Sequence, residues 1–232
     1  FVFGPFFAGV ATEYFMAQGM AEQAADARAQ SLWSLGLTVT GLIIGFGAPI
    51  MGAFADTTGR RLPWIVVFSL MYVAGAGALW WTDPSGSNMW LALTAFGVGF
   101  IGAEYALIFI NSQLPSLGDS RQVGQISGSG FAFGYIGGLT ALAIMLVFFM
   151  EQPSGKTLAG LDPAFGLDPE RKEGTRFVGP FAALWFAVFM IPYFMWVRDT
   201  GPGRKGHGVA DALGLLARSI KGLRHRLSLT AY

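Results

Sequence analysis

The chain has 232 residues, no cysteine, and a net charge of +1 from 15 basic and 14 acidic side chains. Hydrophobic residues make up 53% and charged residues 12%, about half the ~25% charged content of soluble domains. A disulfide framework, a thiolate metal site and a global field for nucleic acid are all excluded.

The sequence opens apolar, from Phe1 to Thr12. As a helix this stretch is only ~18 Å long at ~1.5 Å per residue, short of a ~30 Å hydrocarbon core. No basic region precedes it, as a signal peptide requires, so it reads as the outer end of a first helix whose beginning is missing. Five further apolar stretches follow: Leu32–Ala55, Leu62–Trp81, Met89–Leu114, Gly124–Met150 and Phe177–Val197. Each is near or above the ~20 residues of a spanning helix. In lipid only a helix satisfies its own backbone, so the expected fold is all-α, with six membrane helices in residues 1–198 and the first truncated. Trp33, Trp64, Trp80, Trp81, Trp90 and Trp196 fall near segment ends, where amphipathic rings settle, and Trp185 lies inside the last span.

Arginine and lysine placement predicts sidedness. Arg60 and Arg61 follow the second span, Arg121 follows the fourth, and the tail holds Arg198, Arg204, Lys205, Arg218, Lys221, Arg224 and Arg226. These mark the cytoplasmic side of a bacterial inner membrane. The opposite side carries Glu13, Glu22 and Asp26 against Arg28, and then Asp83. The loop Gln152–Thr175, rich in Pro, Gly and charge, reads as an external excursion without a core of its own. Residues 199–232 form a cytoplasmic linker containing both histidines, His207 and His225. Within it Val209, Leu213, Leu216, Ile220, Leu223 and Leu227 repeat at helical spacing among basic residues. That pattern predicts a helix on the inner leaflet or against a protein partner.

The most specific motif is Gly52-Ala53-Phe54-Ala55-Asp56-Thr57-Thr58-Gly59-Arg60-Arg61, in the tight turn between the second and third spans. A short inside loop collects arginines for any membrane protein, but that does not account for the whole Gly-x-x-x-Asp-x-x-Gly-Arg-Arg spacing. The turn resembles the signature loop between helices 2 and 3 of the major facilitator superfamily. The resemblance implies that Asp56 and Arg60, supported by Arg61, make charge contacts that gate alternating access, partly with a second six-helix half. Thr57 stands where that family usually carries arginine. Asn111-Ser112-Gln113-Leu114-Pro115, the run Ser127–Gly138 and Phe1–Phe7 are similar to the vacuolar-effluxer-like, or unknown major facilitator, branch. Fungal members of that branch are associated with amino-acid export. The resemblance implies that 199–232 links helix 6 to helix 7, with Leu227–Tyr232 as the beginning of helix 7.

Glu104 is the ionisable group deepest within a span. A charge there costs at least ~2.5–3.5 kcal/mol, so a partner, water or a proton is expected, and reversible protonation suits proton coupling. Asn111 lies seven residues on, on nearly the same helix face, and Tyr135 with Gln125, Ser127, Ser129, Thr38 and Thr40 could line a cavity. A structural role for Glu104, bonded to an adjacent helix, fits equally well. Gly130 and Gly134, with Gly137 and Gly138, form a small-residue face expected to pack on a neighbouring helix. No nucleophile–base set or phosphate-binding glycine loop is present, so no catalysis, metal or cofactor is expected. The expected partners are membrane lipid, a small-molecule solute, and either a C-terminal six-helix half or another membrane subunit. Two functions remain open: half of a secondary transporter, or a non-transporting subunit that docks in a larger membrane complex.

Overall fold

A computed structural model describes residues 2–57, 60–199 and 214. The helices are α1 (Phe3–Ala17), α2 (Glu22–Thr57), α3 (Leu62–Ala78), α4 (Met89–Asn111), α5 (Ser120–Ile144), α6 (Glu173–Arg176) and α7 (Val178–Trp196). Short 3-10 turns at Leu79–Trp81, Leu114–Ser116 and Ala164–Gly166 and a π turn at Met145–Phe149 complete the described elements. Among the described residues there is no strand, and five helices are long and apolar enough to cross a membrane. The fold is the expected all-α membrane half, with a 15-residue first helix.

Two boundaries differ from expectation. α2 begins at Glu22 rather than Leu32 and runs for 36 residues. Its first turns carry Glu22, Gln23, Asp26 and Arg28, poor residues for lipid but good helix formers or tolerable ones in water. Ala25 and Ala29 there are fully buried against α1, beside Val10 and Ala11. Gly19 follows the Gln18 cap of α1, and its φ of +91° suits glycine just past a helix terminus. Arg28 adds a cation–π contact 5.0 Å above the Phe15 ring. The second difference is α5, which starts at Ser120. Asp119 caps it, accepting from the N–H groups of Arg121 and Gln122 at 3.0 and 2.9 Å, while Gln122 Oε1 accepts from Asp119 N–H. This is a capping box.

The helices pack in the order α1, α2, α4, α3, α7. The tightest seam joins α3 to α4, and glycine makes it. A Cβ on Gly75 would lie 2.6 Å from the Ala95 carbonyl oxygen and from Gly99 Cα. One on Gly102 would lie 2.6 Å from the Tyr72 nitrogen. Backbone thus meets backbone, the close approach that small residues permit in lipid. α5 differs: among the described residues it packs appreciably only on the 3-10 turn before it and on its own π turn. Gly130, Gly134, Gly137 and Gly138 have nothing within 4 Å of where a Cβ would stand. The packing face expected on α5 therefore lies open, and the glycine packing is found at α3–α4.

The end of the bundle holding residues 150–176 is knitted together rather than free. Glu151 accepts from the Thr175 N–H at 3.1 Å and from its hydroxyl at 2.6 Å. Buried Arg176 donates twice to the Trp80 carbonyl, at 3.1 and 2.6 Å, and stacks 5.1 Å over the Trp80 ring. Lys172 reaches Glu13 at 3.4 Å. The segment 152–175, expected as an external excursion without a core of its own, is thus tied to the ends of α1 and α5 through Lys172 and Thr175. Nearby, Asp83 accepts from Ser87 Oγ at 2.6 Å and from Ser85 N–H at 2.9 Å. These hydrogen bonds, the Ser87 one foremost, hold its carboxyl below the usual carboxylate range.

Candidate functional site

The α2–α3 turn is built from both flanking helices and from the end of α7. Helix termini leave carbonyls exposed at one end and N–H groups at the other. Arg61 Nε donates to the Ala55 carbonyl at 3.0 Å, covering the end of α2. Asp199 Oδ1 accepts from the backbone N–H groups of Arg61 and Leu62, both at 3.0 Å. A carboxylate at this position complements the positive end of the α3 dipole and caps its N–H groups from the segment after α7. Pro63 opens α3, where its missing N–H costs nothing. Below the turn, Ala55, Ile65 and Phe109 are fully buried, with Phe54, Phe68 and Tyr193 packed against them. Tyr193 donates to Gln113 Oε1 at 2.6 Å, fastening α7 to the segment after α4.

Of the motif residues, Arg61 performs a structural bond within the turn, and Arg60 is exposed beside it. Gly52 has open space around it. Gly59 and the Asp56 side chain lie outside the described residues, as do His207, His225 and the predicted amphipathic helix of the tail. Asp199 was not singled out by sequence reading. Its signal was an acidic residue just beyond the last span, among bases where none is needed for topology.

The three candidate polar residues of the membrane interior lie on two helices, Glu104 and Asn111 on α4 and Tyr135 on α5. Glu104 is half-buried in α4, and no hydrogen bond or ion pair joins it to another described residue. Asn111 is exposed at the end of α4, seven residues on and so near the same face. Tyr135 lies on α5, 74% exposed, and borders an apolar cavity of about 1250 Å³. That cavity separates α5 from Tyr72, Phe96, Phe100 and Phe186, and it includes neither Glu104 nor Asn111. Glu104 and Asn111 thus share one face of α4, while Tyr135 stands with Phe133 at the rim of that cavity on α5.

Other expected lining groups turn to their own helices. Thr38 and Ser129 hydroxyls donate to the carbonyls of Ser34 and Ile126, at 2.8 and 2.9 Å. Thr40 is buried facing Gly97. Tyr105 is an interhelical bond the sequence did not reveal: its hydroxyl donates to the Ile43 carbonyl at 2.8 Å, crossing from α4 to α2 beside Gly47. Among the described residues no three potential metal-ligating His, Cys, Asp or Glu side chains come together.

Residues 23–230 match the family described as "Vacuole effluxer Atg22 like". The chain belongs to this family. The major-facilitator likeness of the α2–α3 turn, and the effluxer-like runs at 111–115 and 127–138, fall inside the matched residues and agree with that membership. Over 207 residues the chain is 25% identical to a Bacillus subtilis (strain 168) protein described as "Uncharacterized MFS-type transporter YxiO". That match covers 84% of this chain and 44% of the relative, so the chain spans less than half the relative's length. No solved structure matches. With its five spanning-length helices, this effluxer-family chain is an integral membrane protein.

Proposed function

We propose that this chain is one half of a secondary transporter, moving a small solute by alternating access. The observation that carries the reading is the α2–α3 turn, held to α7 through Asp199 in a chain of the effluxer family. A turn fastened to three helix ends gives a second half a rigid surface to dock on and release, which is what alternation needs. Arg60, exposed at that surface, and Asp56 are the residues proposed to meet the other half. The proposed solute is amino-acid-like, and the proposed coupling ion is the proton, taken up by Glu104. A half-buried carboxyl without a partner among the described residues suits that role, since lipid disfavours a permanent charge. The proposal places the α2–α3 turn in the cytoplasm, consistent with its arginines. It invokes no chemistry on the solute.

The test is counterflow of a labelled amino-acid mixture into proteoliposomes containing the full-length protein. Uptake should rise with an imposed proton gradient, and Glu104→Gln should abolish that dependence while leaving exchange intact. Uptake no greater than in empty vesicles, across amino acids and other small solutes, contradicts the transport reading. Gradient-driven uptake that survives Glu104→Gln removes only the coupling assignment.

A further inference from the structure

The segment between α5 and α6 does not stand clear of the membrane. α5 passes into a wide π turn, in which the Met150 N–H reaches back to the Met145 carbonyl at 2.8 Å. Beside that bond the Leu146 carbonyl accepts the Leu158 N–H at 3.0 Å. Leu146 lies four residues before Met150, so the backbone at Leu158 is held ~6 Å below the end of the span, at ~1.5 Å per residue. A side chain at that level borders hydrocarbon, and Leu158 is 63% exposed.

Phe165 occupies a comparable position. Its ring lies 5.7 Å from that of Phe149, which lies 4.9 Å from Phe177, and Phe177 in turn lies 6.3 Å from Trp80. This chain of rings leads to Trp81, 65% exposed at the same end of the bundle. Exposed aromatics at a helix end mark the headgroup level. Phe165 has φ 61°, a left-handed conformation bulky side chains rarely adopt, and it leaves the ring 85% exposed. The same short stretch turns Thr157 and Pro163 inward while Leu158, Leu161 and Phe165 face out. Its two charges are paired with each other, Lys156 to Asp162 at 2.6 Å, which lowers the cost of bringing them near lipid.

We infer that residues 157–166 form a shallow finger resting on the membrane, with Leu158, Leu161 and Phe165 in the acyl–headgroup boundary of the leaflet on that side. Lipid is the occupant because three apolar side chains are exposed on a segment held by a backbone bond within the last turns of a spanning helix, whose Phe148 is also exposed. The depth is set by a backbone bond to that helix and not by the loop alone. The inference requires only that the chain spans the membrane, so it stands or falls separately from transport.

The 232 residues contain no cysteine, which makes single-site labelling direct. The full-length protein, with any cysteine elsewhere changed to serine, is reconstituted in phosphatidylcholine–phosphatidylglycerol vesicles. A nitroxide is placed at Leu158→Cys or Phe165→Cys, with exposed Ser154→Cys and Leu184→Cys as aqueous and lipid references. At both finger positions the ratio of oxygen to nickel-chelate collisions should be several-fold above that at Ser154→Cys and approach that at Leu184→Cys. A ratio equal to the Ser154→Cys value places the finger in water and overturns the inference. Shielding from both colliders means that protein covers the finger, and overturns it equally.

Discussion

α4 and α5 are both glycine-rich spanning helices, yet they use glycine in opposite ways. In α4, Gly99 and Gly102 sit where the backbone of α3 arrives at touching distance. In α5, Gly130, Gly134, Gly137 and Gly138 face open space, and the helix is secured at its two ends. The difference teaches that small-residue spacing states a permission for close approach. Whether it is used depends on the partner's surface: α3 supplies Gly75 at the crossing, whereas α5 looks across a wide apolar cavity at aromatic rings.

The strongest way to break this comparison is to put a methyl group on each helix. Gly75→Ala should lower thermal stability in detergent by about 3 kcal/mol, because its methyl meets backbone that can yield only by separating the helices. Gly134→Ala should change stability by less than about 1 kcal/mol, with improved helix propensity as its main effect. Equal losses in the two variants would show that α5 is as closely packed as α4. Next comes the attachment of α5 at its far end. Glu151→Ala removes two hydrogen bonds to a charged acceptor, at about 2 kcal/mol together. Hydrogen exchange should quicken around 140–150 while 62–78 keeps its protection; uniform loss across both would mean α5 is not anchored separately.

The near end of α5 provides a smaller test. Asp119→Ala removes the capping box and should cost about 1 kcal/mol, with faster exchange confined to the first turn of α5. The smallest effect concerns the connection between α3 and α4. Asp83 has its carboxyl held low in the folded protein, so its contribution is fully present above about pH 4, the ordinary carboxylate value. It fades as the pH falls through the lower folded value. Asp83→Asn should therefore flatten the acid limb of melting temperature against pH and leave α5 untouched. An unchanged acid limb would assign acid sensitivity elsewhere.

The membrane spans were legible because ~20 apolar residues have few other uses, and the α2–α3 turn because its residue types and spacing are unusual. The early start of α2 was not, since Glu22 to Arg28 read as loop by hydropathy while the helix simply continues beyond the lipid. Asp119 and Gln122 do carry a capping signal in the sequence, and they fix the start of α5 four residues before its apolar run. Tertiary bonds were the least legible. Nothing local tells Tyr105 to reach Ile43, or Arg176 to reach the Trp80 carbonyl, because each partner is a backbone oxygen that any residue could offer. For a related reason, helix periodicity places Glu104 above Asn111 but says nothing of where α5 carries Tyr135.

The cap that Asp199 places on α3 has a mechanical consequence. Both N–H bonds end on a single oxygen atom, so a small displacement of that carboxylate loses them together. Their loss would expose two N–H groups that have no acceptor within α3, while the Arg61 carbonyl still accepts from the N–H groups of Trp64 and Ile65. A pull on residue 199 would therefore weaken the start of α3 without unwinding it.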